Sequence, residues 1–111
     1  MFNIFKSKPK AYQNVSAEDF HKEMGNKGTV LIDVRSAGEF GSGKIKGARN
    51  LDVMRSDFNK QIQHLDKDKT YLLYCRSGNR SGQACAIMAE AGFTQLKNLN
   101  SGLMGWPYEL V

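Results

Sequence analysis

The segment with the clearest chemical potential is a cysteine at the end of an apolar run. Cys75 directly follows Tyr71–Tyr74 and precedes a polar, turn-forming stretch. Such a run is typical of a strand buried in a parallel sheet, and ligands of open α/β sheets bind beyond the carboxyl ends of the strands. Turn residues and a following helix would point backbone N–H groups and a positive dipole end at the same spot. We therefore predict a nucleophilic Cys75 and a binding loop formed by Arg76, Ser77, Gly78, Asn79 and Arg80.

The charges of this loop favour an ionised thiol. Arg76 and Arg80 flank the turn, and cationic neighbours and helix N-termini bring the pKa of reactive cysteines down to about 3.5–7.5. The planar donor fork of arginine also suits a sulfonate or thiosulfate head, so both side chains are predicted to activate Cys75 and to hold its substrate. His21 and His64 lie in solvated helical contexts, and neither is an obvious base for Cys75.

Two other interpretations of the cysteines stay open at this stage. Cys75 as an inert, buried small side chain is one of them, because free cysteine is often buried. Cys85 lies in the middle of a helical pattern beside its apolar face, without a cationic neighbour within one turn. We predict a packing role for Cys85, with a resolving role toward Cys75 as the alternative.

The hydrophobic pattern alternates between strand and helix along the chain. Continuous apolar runs at 30–34 and 71–74 suit strands buried on both faces in a sheet that helices cover. We therefore predict an α/β fold with a mainly parallel sheet, in one domain over residues 11–111 after a tail at 1–10. The predicted strands are 11–15, 30–34, 71–74 and 96–99, and the predicted helices begin at Ser16, near Ala37, at Ser56 and at Ser81, with a last turn at 102–106.

Composition excludes several classes of protein. The net charge is +5, but Lys6, Lys8 and Lys10 supply three of these charges and leave +2 for the other 101 residues. A basic stripe for nucleic acid is therefore not expected. The sequence predicts no secretory signal, no stable membrane insertion and, with two cysteines, no disulfide framework, which favours the cytoplasm.

Two segments of the chain resemble the signature of single-domain rhodaneses. The first runs from Asp33-Val34-Arg35 through Glu39-Phe40 to the stretch Gly43–Leu51, and it is similar to the family's Asp-Val-Arg, Glu-Phe/Tyr, Gly-His-Ile, Gly-Ala and Asn-Ile/Leu pieces. The second is the loop Cys75–Arg80. With a weaker match at Leu99, Gly102 and Trp106, the resemblance spans residues 12–107.

This resemblance implies a rhodanese-like α/β fold, with a mainly parallel sheet flanked by helices on both faces. It implies that Cys75 takes sulfane sulfur from thiosulfate or a persulfide donor as a persulfide and passes it to cyanide or a thiol. Residues 76–80 would then form the anion-binding loop, while Asp33, Arg35 and Glu39 would hold the surrounding loops. No cofactor and no metal are expected, and the partners are the small anionic sulfur donor, its acceptor and, in a sulfur relay, another protein.

The chain departs from the family pattern at two places, where Lys44 replaces a common histidine and Ser101-Gly102 replaces Gly-Gly. Two other functions stay open. A sulfur carrier or regulatory rhodanese-like module would fit the small size. A cysteine phosphatase or arsenate reductase would also use a thiolate in an anion loop, but those phosphatases place an arginine six positions after the cysteine, whereas Arg80 comes five after Cys75.

Overall fold

A computed structural model describes residues 11–111, and the predicted tail at 1–10 lies outside the described residues. Five parallel strands form one sheet with the order β1-β5-β4-β2-β3. This arrangement confirms the predicted α/β class. The strands are β1 (Gln13–Val15), β2 (Thr29–Asp33), β3 (Arg49–Asn50), β4 (Thr70–Tyr74) and β5 (Leu96–Leu99). The α-helices are α1 (Ala17–Glu23), α2 (Ala37–Gly41), α3 (Phe58–Ile62) and α4 (Asn79–Glu90), and a 3₁₀ turn follows at Leu103–Gly105.

Apolar side chains of the central strands pack in two clusters on opposite faces of the sheet. Ile32 and Leu73 belong to the cluster that contains Met88 of α4. Their neighbours Leu31 and Leu72 belong to the cluster around Phe20 of α1. Alternate strand residues point to opposite faces, so both faces are covered, as a continuous apolar run predicts.

The start of α1 follows local capping chemistry, whereas two later helices begin elsewhere than the sequence predicts. The hydroxyl oxygen of Ser16 accepts a hydrogen bond from the Asp19 N–H at 3.1 Å, as an N-cap should. The helix predicted to begin at Ser56 begins at Phe58, and the preceding Asp57 makes no side-chain cap hydrogen bond. The helix predicted to begin at Ser81 instead begins at Asn79, two residues earlier. The reason is Gly78, whose left-handed backbone (φ 95°) makes the turn within a single residue.

The sheet brings two loops side by side at the carboxyl ends of its strands. Asp33, the last residue of β2, pairs in register with Tyr74, the last residue of β4. The chain therefore leaves these two neighbouring strands at the same edge of the sheet, through Val34 to Ser36 after β2 and through Cys75 to Gly78 after β4. No helix among residues 11–111 is long and apolar enough to cross a bilayer.

Candidate active site

The thiol of Cys75 is the acceptor of a converging set of hydrogen-bond donors. Its Sγ lies 3.1 Å from the Gly78 N–H nitrogen, 3.4 Å from the Ser81 N–H nitrogen and 3.3 Å from the Ser81 hydroxyl oxygen. The residue follows β4, and Ser81 lies in the first turn of α4. Backbone amides at a helix N-terminus favour negative charge. The loop is thus built to hold an anionic sulfur.

The hydrogen bonds outweigh the effect of burial on this thiol. Cys75 has no solvent-exposed surface, and burial alone raises the pKa of a thiol because it disfavours the charged form. Hydrogen bonds from the Ser81 hydroxyl and from the N–H groups of Ser81, Gly78 and Ser77 act in the opposite direction, and the net pKa of Cys75 is lowered.

The backbone of the cysteine loop is tied to the segment after β5. The Leu103 N–H donates to the carbonyl of Cys75 and the Met104 N–H donates to the carbonyl of Arg76, both at 3.0 Å. On the other side, the Asn98 amide donates to the carbonyl of Gly78 at 3.1 Å. These contacts hold the turn from two directions, so the donors around Sγ are fixed in place before any substrate binds.

Arg80 is held by a carboxylate from α2. Its two terminal nitrogens lie 2.8 and 3.0 Å from the two carboxylate oxygens of Glu39, a bidentate pair. Glu39 also closes the capping box of α2 with Ser36. The hydrogen bonds from Arg80, followed by those from Ser36, outweigh burial and lower the pKa of Glu39 to about 2. Glu39 is therefore ionised at neutral pH, and it neutralises Arg80.

A second buried pair fixes the loop after β2. Arg35 and Asp33 share a bidentate contact, with the closest nitrogen and oxygen 2.6 Å apart. Arg35 also donates to the carbonyl of Gly43 at 2.7 Å. Asn50 donates to the backbone carbonyls of Asp33 and Arg35 at 3.0 and 2.8 Å. The signature residues of the first segment thus build the wall beside the cysteine loop.

The remaining predicted loop residues lie at the surface. The side chains of Arg76, Ser77 and Asn79 are exposed. The Ser77 hydroxyl oxygen accepts from the Asn79 N–H at 3.4 Å, which is a local turn contact. Within the described part of the chain, Arg76 has no carboxylate partner.

Cys85 and His21 lie in environments of another kind. Burial raises the pKa of the Cys85 thiol to about 12, and its surroundings are the apolar cluster under α4. His21 stacks on Tyr108 with ring centres 3.9 Å apart. Residues 11–111 hold no cluster of histidine, cysteine and carboxylate side chains that could bind a metal.

Sequence reasoning missed two residues of this site. Ser81 was assigned only to the helix, and Asn98 only to a strand, yet one donates to Sγ and the other anchors Gly78. A serine in the first helical turn after a cysteine loop is a sequence feature that predicts a donor to the thiol, since that position directs the serine N–H and hydroxyl groups toward the loop. Asn98 is 20 residues from Gly78 in sequence, and no local pattern connects them.

Comparison with known proteins agrees with this geometry. The model of the rhodanese-like domain family matches residues 16–109. The chain belongs to the rhodanese-like family. It is 33% identical over 85 residues to the thiosulfate sulfurtransferase GlpE of Ectopseudomonas mendocina, covering 77% of this chain and 76% of that one. It is 34% identical over 77 residues to a sulfurtransferase of Allochromatium vinosum, covering 69% and 70%.

Solved structures show the same rhodanese-like fold. A rhodanese-related protein of Thermoplasma volcanium superposes with a TM-score of 0.77 at 26% identity, over 90% of this chain and 98% of that one. A rhodanese with anions from E. coli gives a TM-score of 0.61 at 28% identity, over 75% and 96%. Together with the named sulfurtransferases at about one-third identity, these similarities support a rhodanese-type sulfurtransferase.

Proposed function

We propose that this rhodanese-like protein moves sulfane sulfur from thiosulfate or a persulfide donor to cyanide or a thiol, by way of a persulfide on Cys75. The observation that carries the proposal is the set of three donors around Sγ, two from Ser81 and one from Gly78, at 3.1–3.4 Å. A thiolate held in this way is a nucleophile without a separate base, and among residues 11–111 neither histidine contacts it.

The reaction is two displacements at sulfur. In the first, the Cys75 thiolate attacks the outer sulfur of the donor; a new S–S bond forms, the donor's S–S bond breaks, and sulfite or a thiolate leaves with the electron pair. In the second, the acceptor attacks the terminal sulfur of the persulfide, and Cys75 leaves as the thiolate. No oxidant is needed, and ping-pong kinetics follow from the covalent intermediate.

Each loop residue has a part in this proposal. The N–H groups of the turn favour the thiolate and later the anionic persulfide. Gly78 and Ser77 are among the donors that lower the pKa of Cys75. Arg76 and Asn79 border the approach to the loop, and Arg80, whose charge Glu39 balances, ties the start of α4 to α2. Asp33, Arg35 and Glu39 position these groups through the two ion pairs.

The ion pair of Arg80 argues against phosphoryl chemistry. A cysteine phosphatase or arsenate reductase needs an arginine whose donors receive the oxyanion, whereas both terminal nitrogens of Arg80 bind Glu39. The loop is also one residue shorter between cysteine and arginine than in those phosphatases.

Peptide mass spectrometry tests the proposed function. The protein is exposed in turn to thiosulfate, inorganic polysulfide and an organic persulfide, digested without reductant, and searched for a peptide that carries one extra sulfur. We expect the extra sulfur on Cys75, with the Cys85 peptide as the internal control, and its release as thiocyanate when cyanide is added. Failure of every donor to load Cys75 contradicts the proposal. Loading without repeated turnover on free donors indicates a carrier that serves another protein.

A further inference from the structure

A pair of asparagines lies side by side at the outer edge of the sheet. Asn14 of β1 and Asn98 of β5 are partners in the parallel register, so their side chains project to the same face. The Asn98 amide nitrogen donates to the Asn14 Oδ1 atom at 2.9 Å. Asn98 is 2% exposed, whereas Asn14 lies at the surface. The pair therefore connects the solvent-facing strand β1 with the interior of the molecule.

The same amide nitrogen reaches the turn that carries the thiol. Asn98 pairs in register with Leu73 of β4, two residues before Cys75, and its amide nitrogen donates to the carbonyl of Gly78 at 3.1 Å. The N–H of Gly78 in turn donates to Cys75 Sγ at 3.1 Å. Hydrogen bonds on the two sides of one glycine thus link Asn98 to the nucleophile.

The orientation of the Asn98 carboxamide is fixed by its acceptors. A carbonyl oxygen can only accept a hydrogen bond, so the group that faces the Gly78 carbonyl must be the NH₂. This arrangement directs the amide nitrogen to Asn14 and Gly78, and the Oδ1 atom of Asn98 has no hydrogen-bond partner among residues 11–111. Buried polar atoms are nearly always hydrogen-bonded, but a reversed carboxamide would place its oxygen against the Gly78 carbonyl oxygen. The contact with Gly78 therefore decides the orientation, although it leaves one acceptor unsatisfied.

Gly78 depends on contacts from outside its turn. Its backbone has φ 95°, and glycine is the residue with the widest choice of backbone conformations. Its carbonyl also accepts from the Gly82 N–H at 3.1 Å, which begins the hydrogen bonds of α4. A β-carbon on Gly78 would lie 2.2 Å from the Asn100 backbone oxygen, so the turn packs directly against the segment after β5. A shift of the Asn98 carboxamide would therefore be transmitted to the turn and to the N–H that faces Sγ.

We propose that Asn98, oriented by Asn14, is a positioning residue for the nucleophile, which holds Gly78 so that the Gly78 N–H points at Cys75 Sγ. The inference deepens the proposed function and rests on it for the consequence in sulfur transfer. The groove on this side of the loop, with a volume of about 390 Å³, is lined by uncharged residues. Replacement of an asparagine by alanine there changes no charge, so a change in the acidity of the thiol would report the geometry of its donors.

The pH dependence of Cys75 alkylation by iodoacetamide tests this role independently of sulfur transfer. Asn98→Ala should move the alkylation midpoint upward, and Asn14→Ala should move it in the same direction by less, because water can replace the oxygen of the exposed Asn14. The double variant should move it no further than Asn98→Ala, since both residues act through one contact. Single-turnover loading of Cys75 by polysulfide at neutral pH should fall about twofold to tenfold in Asn98→Ala, the equivalent of one neutral hydrogen bond.

Asn100→Ala is the matched control. Asn100 is exposed and lines the same groove, but over residues 11–111 its side chain is not among the groups bonded to Asn98 or Gly78, so its midpoint should equal that of the wild type. A wild-type midpoint in folded Asn98→Ala overturns the inference. If circular dichroism shows that Asn98→Ala does not fold, a wild-type midpoint in Asn14→Ala overturns it. Shifted midpoints in a protein that no sulfur donor loads at Cys75 support the positioning role and overturn the proposed function.

Discussion

Cys75→Ser should abolish sulfur transfer while the fold persists. A serine hydroxyl is close in size to the thiol, and its oxygen can still accept from Gly78 and Ser81, so no buried donor loses its partner. The hydroxyl is not ionised at neutral pH and is a poor nucleophile toward sulfur. We expect turnover to fall by more than about a thousandfold, as removal of a covalent nucleophile does in other enzymes.

The matched control is the other cysteine. Cys85→Ala removes a buried thiol that is not among the groups hydrogen-bonded to Cys75 Sγ and places a good helix former in α4. Thiocyanate production from cyanide should be retained in Cys85→Ala and lost in Cys75→Ser, with similar circular dichroism spectra for both. Substantial transfer by Cys75→Ser, or its loss in Cys85→Ala, would refute the assignment of Cys75 as the nucleophile.

Gly102→Ala should be strongly disruptive although it adds a single methyl group. Gly102 has φ 62° and ψ −168°, a conformation that belongs essentially to glycine. A β-carbon there would lie 2.2 Å from the backbone oxygen of Arg76, which cannot swing away as a side chain can. The backbone strain alone costs about 1–3 kcal/mol, and the clash would push the Leu103 segment off the cysteine loop.

Urea denaturation measures this effect against a glycine in open space. Gly47 also has a positive φ, but a β-carbon there meets nothing within 4 Å. Gly47→Ala should therefore lose only the conformational part of the free energy of unfolding, whereas Gly102→Ala should lose clearly more and also slow the loading of Cys75. Equal shifts of the urea midpoint in the two variants would show that the contact with Arg76 is unimportant.

The sequence was sufficient to predict features that depend on local chemistry. The apolar run before Cys75 predicted a buried strand, and the structure has β4 at that place. Ser16 followed by Asp19 predicted a helix start, because an N-cap and its partner are three residues apart. The α/β class followed from the same alternation of strand and helix.

Features that depend on contacts between distant segments could not be predicted. The pair of Glu39 and Arg80 joins residues 41 positions apart, so the loop pattern alone indicated a free guanidinium. β3 has only two residues and is stabilised by pairing with β2 rather than by any apolar run of its own, and the sequence therefore indicated a loop. The close approach of Gly102 to Arg76 is likewise set by the packing of β5 beside β4.

The pKa of the Cys75 thiol is the most direct test of the physical basis of this account. The rate of iodoacetamide alkylation is measured against pH for the wild type, for Ser81→Ala and for Ser77→Ala. Ser77→Ala is the control, because the Ser77 hydroxyl oxygen accepts a hydrogen bond from the Asn79 N–H and makes no bond to Cys75 Sγ. Donors to the thiolate lower the pKa, so the alkylation midpoint of the wild type should lie below that of free cysteine. In Ser81→Ala it should move upward, so that reactivity is lost at a higher pH, and in Ser77→Ala it should stay close to the wild-type value. A wild-type midpoint at or above that of free cysteine, or one that Ser81→Ala leaves in place, would contradict the claim that these hydrogen bonds hold an anionic sulfur.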